Sequence, residues 1–253
     1  MEIWQLLIVG IAAVFGGAVN ALAGGGTLIT FPVLTAVGVP IVAANITNTV
    51  ALCPGYLGAT LAQLKDLRGQ RLRMLLLLPV GVLGGLGGGV LLLHTEDQMF
   101  HKVVPYLIFM AVILMAQQDR IRAWLMRSAG KGEGGSLHDA WSILPVLPAA
   151  IYGGFFGAGV SVIIIAVLGL IIADSLTRLN ALKQALSLVI NIAAGVFFLF
   201  SGQVVWPAAL VMAVGAIAGG VLGGRMAGRI RPLVLRRIVI VIGTIVGIFY
   251  LVR

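Results

Sequence analysis

A stripe of polar side chains runs along one apolar stretch in the second half of the sequence, residues 179–200. Five polar residues fall there at positions i, i+3, i+4, i+7 and i+11, which share one face of a helix. Amide, hydroxyl and ammonium groups can hydrogen bond to a charged solute, and they are costly where they face lipid. The stripe therefore predicts a binding surface turned toward the interior of a bundle. Its members are Asn180, Lys183, Gln184, Ser187 and Asn191.

Lys183 is the charged member of this stripe, and two interpretations of it stay open. An ammonium that points into a pathway would offset the cost of desolvating an anion. A lysine about one turn into a helix can instead extend its amine to the membrane interface, as we expect Arg178 to do.

A second polar group follows Pro40, where a helix is predicted to begin. Amide and hydroxyl groups beside the unpaired N–H groups and the positive dipole end of a helix suit an anionic oxygen. The alternative is hydrogen bonding between helices, which such residues supply in membranes. We adopt binding as the prediction for Asn45, Thr47, Asn48 and Thr49.

Two glycine-rich breaks interrupt the apolar sequence, Gly24-Gly25-Gly26-Thr27 and Gly157-Ala158-Gly159. Backbone N–H groups exposed at such breaks can hold an anion, although small residues also allow helices to pack closely. Asn20 before the first break and Ser161 after the second favour a lining of the site. The predicted substrate-binding residues thus include Asn20, Gly24, Gly25, Gly26, Thr27, Gly157, Gly159 and Ser161.

The elements that position these residues are membrane helices. The 253 residues are 60% hydrophobic and 10% charged, and no Asp, Glu, Lys, Arg or His lies between Ile3 and Leu64. One crossing takes about 20 residues, so this stretch alone exceeds two crossings. The composition predicts an all-α polytopic membrane protein with ten apolar segments. They are 3–22, 26–39, 41–63, 74–93, 102–117, 142–157, 160–173, 179–200, 204–222 and 233–252.

The ten segments form a repeat of five plus five. The register that aligns Asn45 with Asn180 also aligns Asn48 with Lys183, and it aligns Gly84-Gly85 with Gly219-Gly220. The second segment of each half is short, and it either crosses fully or returns as a re-entrant hairpin. We predict one repeat over 1–117, a basic linker over 118–141 and a second repeat over 142–253.

Basic residues predict the orientation of the repeats. They cluster after the third segment, between the halves and after the ninth segment, and the positive-inside rule makes these loops cytoplasmic. The third-to-fourth connection is then inside, while its mate in the second half, 201–203, is outside. The sequence therefore predicts inverted repeats in the plasma membrane, both termini outside, and a solute site near the midplane where the breaks meet.

Other classes of function find no support in the residues. The charge of +9 sits in short loop clusters, which argues against nucleic-acid binding, and no spacing suits an enzyme, a metal or a cofactor. Cys53 lies in an apolar run, where packing is the expected role. Glycine-rich stretches at Gly81–Gly89 and Gly215–Gly224 predict close helix packing, and a homodimer through them is a further hypothesis. The expected partners are a small anion and membrane lipid.

The run Gly24-Gly25-Gly26-Thr27-Leu28-Ile29-Thr30-Phe31-Pro32, followed by a Thr/Asn-rich helix start and repeated after a basic loop, resembles the TauE/SafE-type sulfite exporter family. The second copy departs from the pattern, because Gly157-Ala158-Gly159-Val160 lacks the triple glycine and Ile165 replaces the proline. The resemblance implies a plasma-membrane carrier, in most members an exporter, of sulfite, sulfonates or other sulfur-containing anions. The alternatives are a transporter of a carboxylate or a cation, and a non-transporting scaffold subunit.

Overall fold

A computed structural model describes residues 1–22, 24–128, 143–172, 174–226 and 232–252. The described residues form ten helices and no strand. Four of the helices are long and apolar enough to cross a membrane, and large apolar side chains cover much of the outer surface. The chain is an all-α polytopic membrane protein, as predicted. The helices are α1 (Ile3–Leu22), α2 (Thr27–Ala36), α3 (Ile41–Ala62), α4 (Arg71–Leu93), α5 (Asp97–Ser128), α6 (Ile143–Phe155), α7 (Val160–Ile171), α8 (Leu176–Leu199), α9 (Trp206–Met226) and α10 (Pro232–Val252).

The short helices α2 and α7 each fold back on the helix before them. The Nε2 amide of Gln5, near the start of α1, donates to the carbonyl of Val37, just after α2, at 3.0 Å. In the second half, a Cβ placed on Gly153 of α6 would lie 2.8 Å from Val160, the first residue of α7. A helix of 10 residues is about 15 Å long, which is half of a bilayer core. Each pair is therefore a hairpin whose tip is the glycine break.

The two halves of the chain are interleaved. Helix α1 packs mainly on α9, and α4 packs mainly on α6, so the fourth helix of each half lies on the first helix of the other. Glycines allow these backbones to approach closely. A Cβ at Gly219 would lie 1.9 Å from the carbonyl oxygen of Val14, and one at Gly88 would lie 2.1 Å from that of Ile151. Close packing is thus confirmed at these glycines. They contact helices of the same chain, so they do not support a homodimer.

Helices α3 and α8 cross the centre in opposite directions. Near the start of α3, the hydroxyl of Thr47 accepts a hydrogen bond from the N–H of Val205, after α8. Near the end of α3, the hydroxyl of Thr60 donates to the carbonyl of Gln184, early in α8. The α3–α4 connection and the α8–α9 connection therefore lie at opposite ends of the bundle.

The fifth helix is longer than the predicted apolar segment 102–117. It begins at Asp97, whose carboxylate accepts a hydrogen bond from the N–H of Val42, and it continues to Ser128. Its extension is held to α10 because Asp119 pairs with Arg236. Hydropathy marks where the chain becomes polar, but the helix itself continues beyond that point, into the predicted linker. The rest of that linker, 129–141, lies outside the described residues.

Candidate functional site

The tips of the two hairpins meet near the centre of the protein. A Cβ placed on Gly24 would lie 3.4 Å from the Cβ of Ser161. Gly24, Gly25, Gly157 and Gly159 have φ between 71° and 104°, a left-handed conformation that favours glycine. The turns that they make direct the start of α2 and the start of α7 toward the same place. We call this contact the break junction.

The break junction brings together the positive ends of two helix dipoles. Each helix N-terminus carries roughly half a positive charge. The first-turn N–H groups are partly used, because those of Leu28 and Ile29 donate to the carbonyls of Gly25 and Gly26, and that of Val162 donates to Gly159. An anion at this place would therefore be attracted mainly by the two helix dipoles. Few first-turn N–H groups remain free to donate hydrogen bonds to it.

Polar residues of α3 fix both hairpins. Thr30 of α2 donates from its hydroxyl to Oδ1 of Asn48, and Nδ2 of Asn48 lies 3.4 Å from the hydroxyl of Thr27. The Nδ2 amide of Asn45 donates to the carbonyl of Phe155, the last residue of α6, at 2.7 Å. Asn45 is fully buried, and its Oδ1 has no hydrogen-bond partner among the described residues.

Two of the predicted α3 residues form hydrogen bonds with backbone groups. The hydroxyl of Thr47 accepts a hydrogen bond from the N–H of Val205 at 3.0 Å. The hydroxyl of Thr49 donates to the carbonyl of Asn45 within the helix, at 3.0 Å. The Thr47 bond is of the kind that the alternative to binding predicts, because it joins α3 to the segment after α8. The Thr49 bond lies within α3. Cys53 packs in the same way, since its thiol lies 3.3 Å from the carbonyls of Thr49 and Asn191.

The polar stripe of α8 begins beside the C-terminal end of α3 and continues along α8 toward the middle of the bundle. Asn180 donates to Oε1 of Gln63 at 2.8 Å, and Asn191 donates to the carbonyl of Ser187. The hydroxyl of Ser187 is buried without a partner among the described residues. Lys183 is half-buried, and no carboxylate of the described residues forms an ion pair with it.

A cavity of about 330 Å³ lies beside the break junction. Its polar lining comes from Asn20, Tyr56, Gln63 and Gln184, and small residues such as Gly17 leave the space open. Asn20 links the cavity to the first break, because a Cβ on Gly26 would lie 3.3 Å from its Cβ. Asn20 is also hydrogen bonded to Tyr56. The cavity is of a size that suits a small solute.

The sequence analysis did not single out Tyr56 or Gln63 as site residues. Tyr56 stands at position i+11 from Asn45 and i+4 from Leu52, a spacing that places it on the same face of α3. That helical spacing is the signal that could have identified it. Gln63 is the last residue of the predicted segment 41–63, and it stands at i+7 from Tyr56, so the same spacing places it on that face.

An ion-pair cluster lies at the end of the bundle that holds the α3–α4 connection. Asp174, between α7 and α8, accepts hydrogen bonds from Arg73 of α4 and from Nε of Arg178, the latter at 3.0 Å. Partial burial raises the pKa of Asp174, but the bonds from Arg73, the Ser175 N–H and Arg178 outweigh burial and lower the pKa below its ordinary value of 3.8. No group of three or more His, Cys, Asp or Glu residues able to hold a metal occurs within the described ranges.

Two glycine-interrupted hairpins whose tips meet inside an all-helical membrane protein are typical of membrane transport proteins. A family model described as Sulfite exporter TauE/SafE matches residues 9–250, and the chain belongs to that family. It is a membrane transporter of the TauE/SafE family.

Relatives from three bacteria are described as probable membrane transporter proteins. The chain is 30% identical over 221 residues to one of Haemophilus influenzae, and the match covers 85% of this chain and 80% of that protein. It is 24% identical to the probable membrane transporter protein YfcA of Escherichia coli K12, over 82% of this chain and 75% of YfcA. It is 22% identical to the probable membrane transporter protein ORF9 of a Sinorhizobium species, over 83% of this chain and 78% of ORF9. No solved structure matches the chain.

Proposed function

We propose that this transporter exports a small sulfur-containing anion, such as sulfite or sulfoacetate, from the cytoplasm through the interface of two inverted repeats. The observation that carries the proposal is the meeting of the N-termini of α2 and α7 at the Gly24–Ser161 contact. Two converging positive dipole ends favour an anion over a cation, and the family description supports sulfite as the substrate class.

The inverted arrangement is supported by the antiparallel α3 and α8. The connections that follow them lie at opposite ends of the bundle, and the α3–α4 end carries Lys65, Arg68 and Arg71. With the positive-inside rule, that end is cytoplasmic, and both termini lie outside. The cavity, lined by the later part of α3, then opens toward the cytoplasm.

The proposed binding residues fall into two groups. The break junction supplies Gly24–Thr27, Gly157, Gly159 and Ser161, held by Asn45 and Asn48. The cavity supplies Asn20 and Gln184, with Tyr56 and Gln63 added from the structure. Along α8, Ser187 keeps a buried hydroxyl for a ligand oxygen. The further members of this proposed set are Lys183, Asn180, Asn191, Thr47 and Thr49.

The membrane potential favours export. With a negative interior, moving one negative charge out gains about 2.3 kcal/mol per 100 mV, and a dianion gains about twice as much. No buried carboxylate lies in the described membrane helices near the cavity, so coupling to a proton held by Asp or Glu has no support there. Export of the anion needs no coupling ion.

Flux in proteoliposomes tests the proposal. Purified protein should carry labelled sulfite or sulfoacetate faster than protein-free liposomes, and an inside-negative potential should accelerate efflux. Acetate and sodium serve as the carboxylate and cation comparisons. If acetate or sodium moves and the sulfur-containing anions do not, the proposed substrate is wrong. If none of these solutes moves, the proposed transport activity is wrong.

A further inference from the structure

Four phenylalanine rings meet at the tip of the α6–α7 hairpin. Phe31 of α2 lies edge-on to Phe156, with ring centroids 5.4 Å apart. Phe100 of α5 lies edge-on to Phe155 at 5.5 Å and to Phe156 at 6.2 Å. Phe31, Phe100 and Phe156 are at most 2% exposed. We call these four rings the aromatic plug.

The aromatic plug and the cavity lie on opposite sides of the break junction. Phe155 is held by Asn45 in the first part of α3, and Phe100 lies in the first turn of α5, beside Asp97, which also contacts the start of α3. The cavity instead uses the later part of α3, from Leu52 to Gln63. One side of the junction is therefore open, and the other is filled by aromatic rings.

The residue types at the two hairpin tips match this difference. Gly17 and Asn20, near the end of α1, line the cavity. Phe155, at the end of α6, is part of the aromatic plug, and the hydroxyl of Tyr152 donates to the carbonyl of Ala158 inside the tip. The first hairpin therefore carries small and polar residues before its break, whereas the second carries rings.

We propose that the aromatic plug is the gate that closes the pathway on the side of the α8–α9 connection, an inference that rests on the proposed transport function. A solute that reaches the break junction from the cavity meets these rings, and it leaves only when the α6–α7 tip moves away from Phe31 and Phe100. Asn45 is a positioning residue, because its bond to the Phe155 carbonyl holds the tip in the closed position.

Thiol labelling tests the gate without a substrate. Cys53 is the only cysteine of the chain, so a Cys53→Ser background with Ala59→Cys places one reporter thiol on the cavity wall. Lys65→Cys and Gln203→Cys, both exposed, mark the two ends of the bundle in right-side-out and inverted vesicles. With the plug intact, an impermeant thiol reagent should label position 59 only from the side that labels position 65.

Removing one ring should open the second side. Phe156→Ala and, independently, Phe31→Ala should raise labelling of position 59 from the side of position 203 by about tenfold, which is what the loss of one or two aromatic pairs is worth. Phe156→Leu, which keeps the bulk, should stay closed. Phe198→Ala is the matched control, because Phe198 is equally buried but its ring contacts that of Phe197 instead.

The outcomes separate the gate from the transported solute. Unchanged labelling from the Lys65→Cys side shows that a variant has kept its fold. Labelling of position 59 from both sides with the plug intact, or no change in either alanine variant that has kept its fold, overturns the gate. If the labelling is as expected but sulfite flux is absent, the gate is supported and sulfite as the substrate is contradicted.

Discussion

The Nδ2 amide of Asn45 donates to the backbone carbonyl of Phe155 at 2.7 Å, and this bond joins the two halves of the chain at the tip of a broken helix. The carbonyl belongs to the last turn of α6, where a helix leaves its carbonyls without internal partners. Asn45 is fully buried, and its side-chain amide supplies the donor for this carbonyl.

Loss of this donor should destabilise the protein. We expect Asn45→Leu to lower the unfolding free energy in detergent by about 1–3 kcal/mol, because the Phe155 carbonyl loses the donor that the buried Asn45 amide supplies. Thermal unfolding measures the effect. Asn180→Leu is the matched control, since Asn180 bonds to the side chain of Gln63 where both are only half-buried. Equal losses in the two variants would contradict the assigned role of Asn45.

Gly24→Ala should abolish or strongly reduce transport. The φ of 71° strains any other residue by about 1–2 kcal/mol, and the added methyl group meets Ser161 at the break junction. Gly202→Ala carries the same backbone strain at φ 69°, but it lies in an exposed connection with no atom within 4 Å. Sulfite flux should therefore fall in the first variant and persist in the second. An equal loss of sulfite flux in both variants would show that backbone strain alone causes the loss.

Lys183→Met separates the two interpretations of this lysine. If the ammonium attracts the anion, KM should rise about tenfold, equivalent to about 1.4 kcal/mol of binding, with a smaller change in the maximal rate. Lys65→Met, which removes an exposed charge outside the stripe, should leave KM nearly unchanged. An unchanged KM in Lys183→Met would show that the amine only reaches the interface.

The adjacent residues Gly219 and Gly220 should respond differently to alanine. A Cβ at Gly219 would lie 1.9 Å from the Val14 carbonyl oxygen, so Gly219→Ala should force α1 and α9 apart and cost about 1–3 kcal/mol. A Cβ at Gly220 meets no atom within 4 Å, and Gly220→Ala should leave the unfolding temperature unchanged or raise it slightly. Similar unfolding temperatures for the two variants would contradict the packing of α1 on α9.

Asp174 should make stability depend on pH in the acid range. Its pKa is lowered in the folded protein, so it stabilises the fold above the ordinary pKa of 3.8, and the stabilisation is lost as the pH falls through the lowered value. Asp174→Asn should therefore reduce the unfolding temperature at neutral pH, and the difference from the unmodified protein should shrink below pH 3.8. A difference that persists unchanged in acid would exclude this ionisation as the cause.

Helix positions could be predicted because the apolar segments are long and nearly free of charge. Each of the ten predicted segments matches a described helix, with the main difference at α5. Its ends depend on Asp97 and on the Asp119–Arg236 pair, which are tertiary contacts that hydropathy does not record.

Helix pairing could not be predicted in the same way. The glycines of α4 and α9 indicate close packing, but nothing in their spacing says that α9 packs on α1 or α4 on α6. The candidate site, too, could be predicted only in part. The breaks and polar helix starts are visible as residue types, whereas the partners of Asn48 and Thr47 depend on which helices come together.

The interleaved pairing of α1 with α9 bears on how the protein is made. Helix α1 enters the bilayer early in synthesis, and the surface that it needs, around Gly219, is translated only when most of the chain has been made. Until then the Val14 face of α1 is covered only by lipid or by the insertion machinery. Neither half can complete its packing alone, so when the halves are expressed as separate polypeptides, each should be degraded unless the other is supplied.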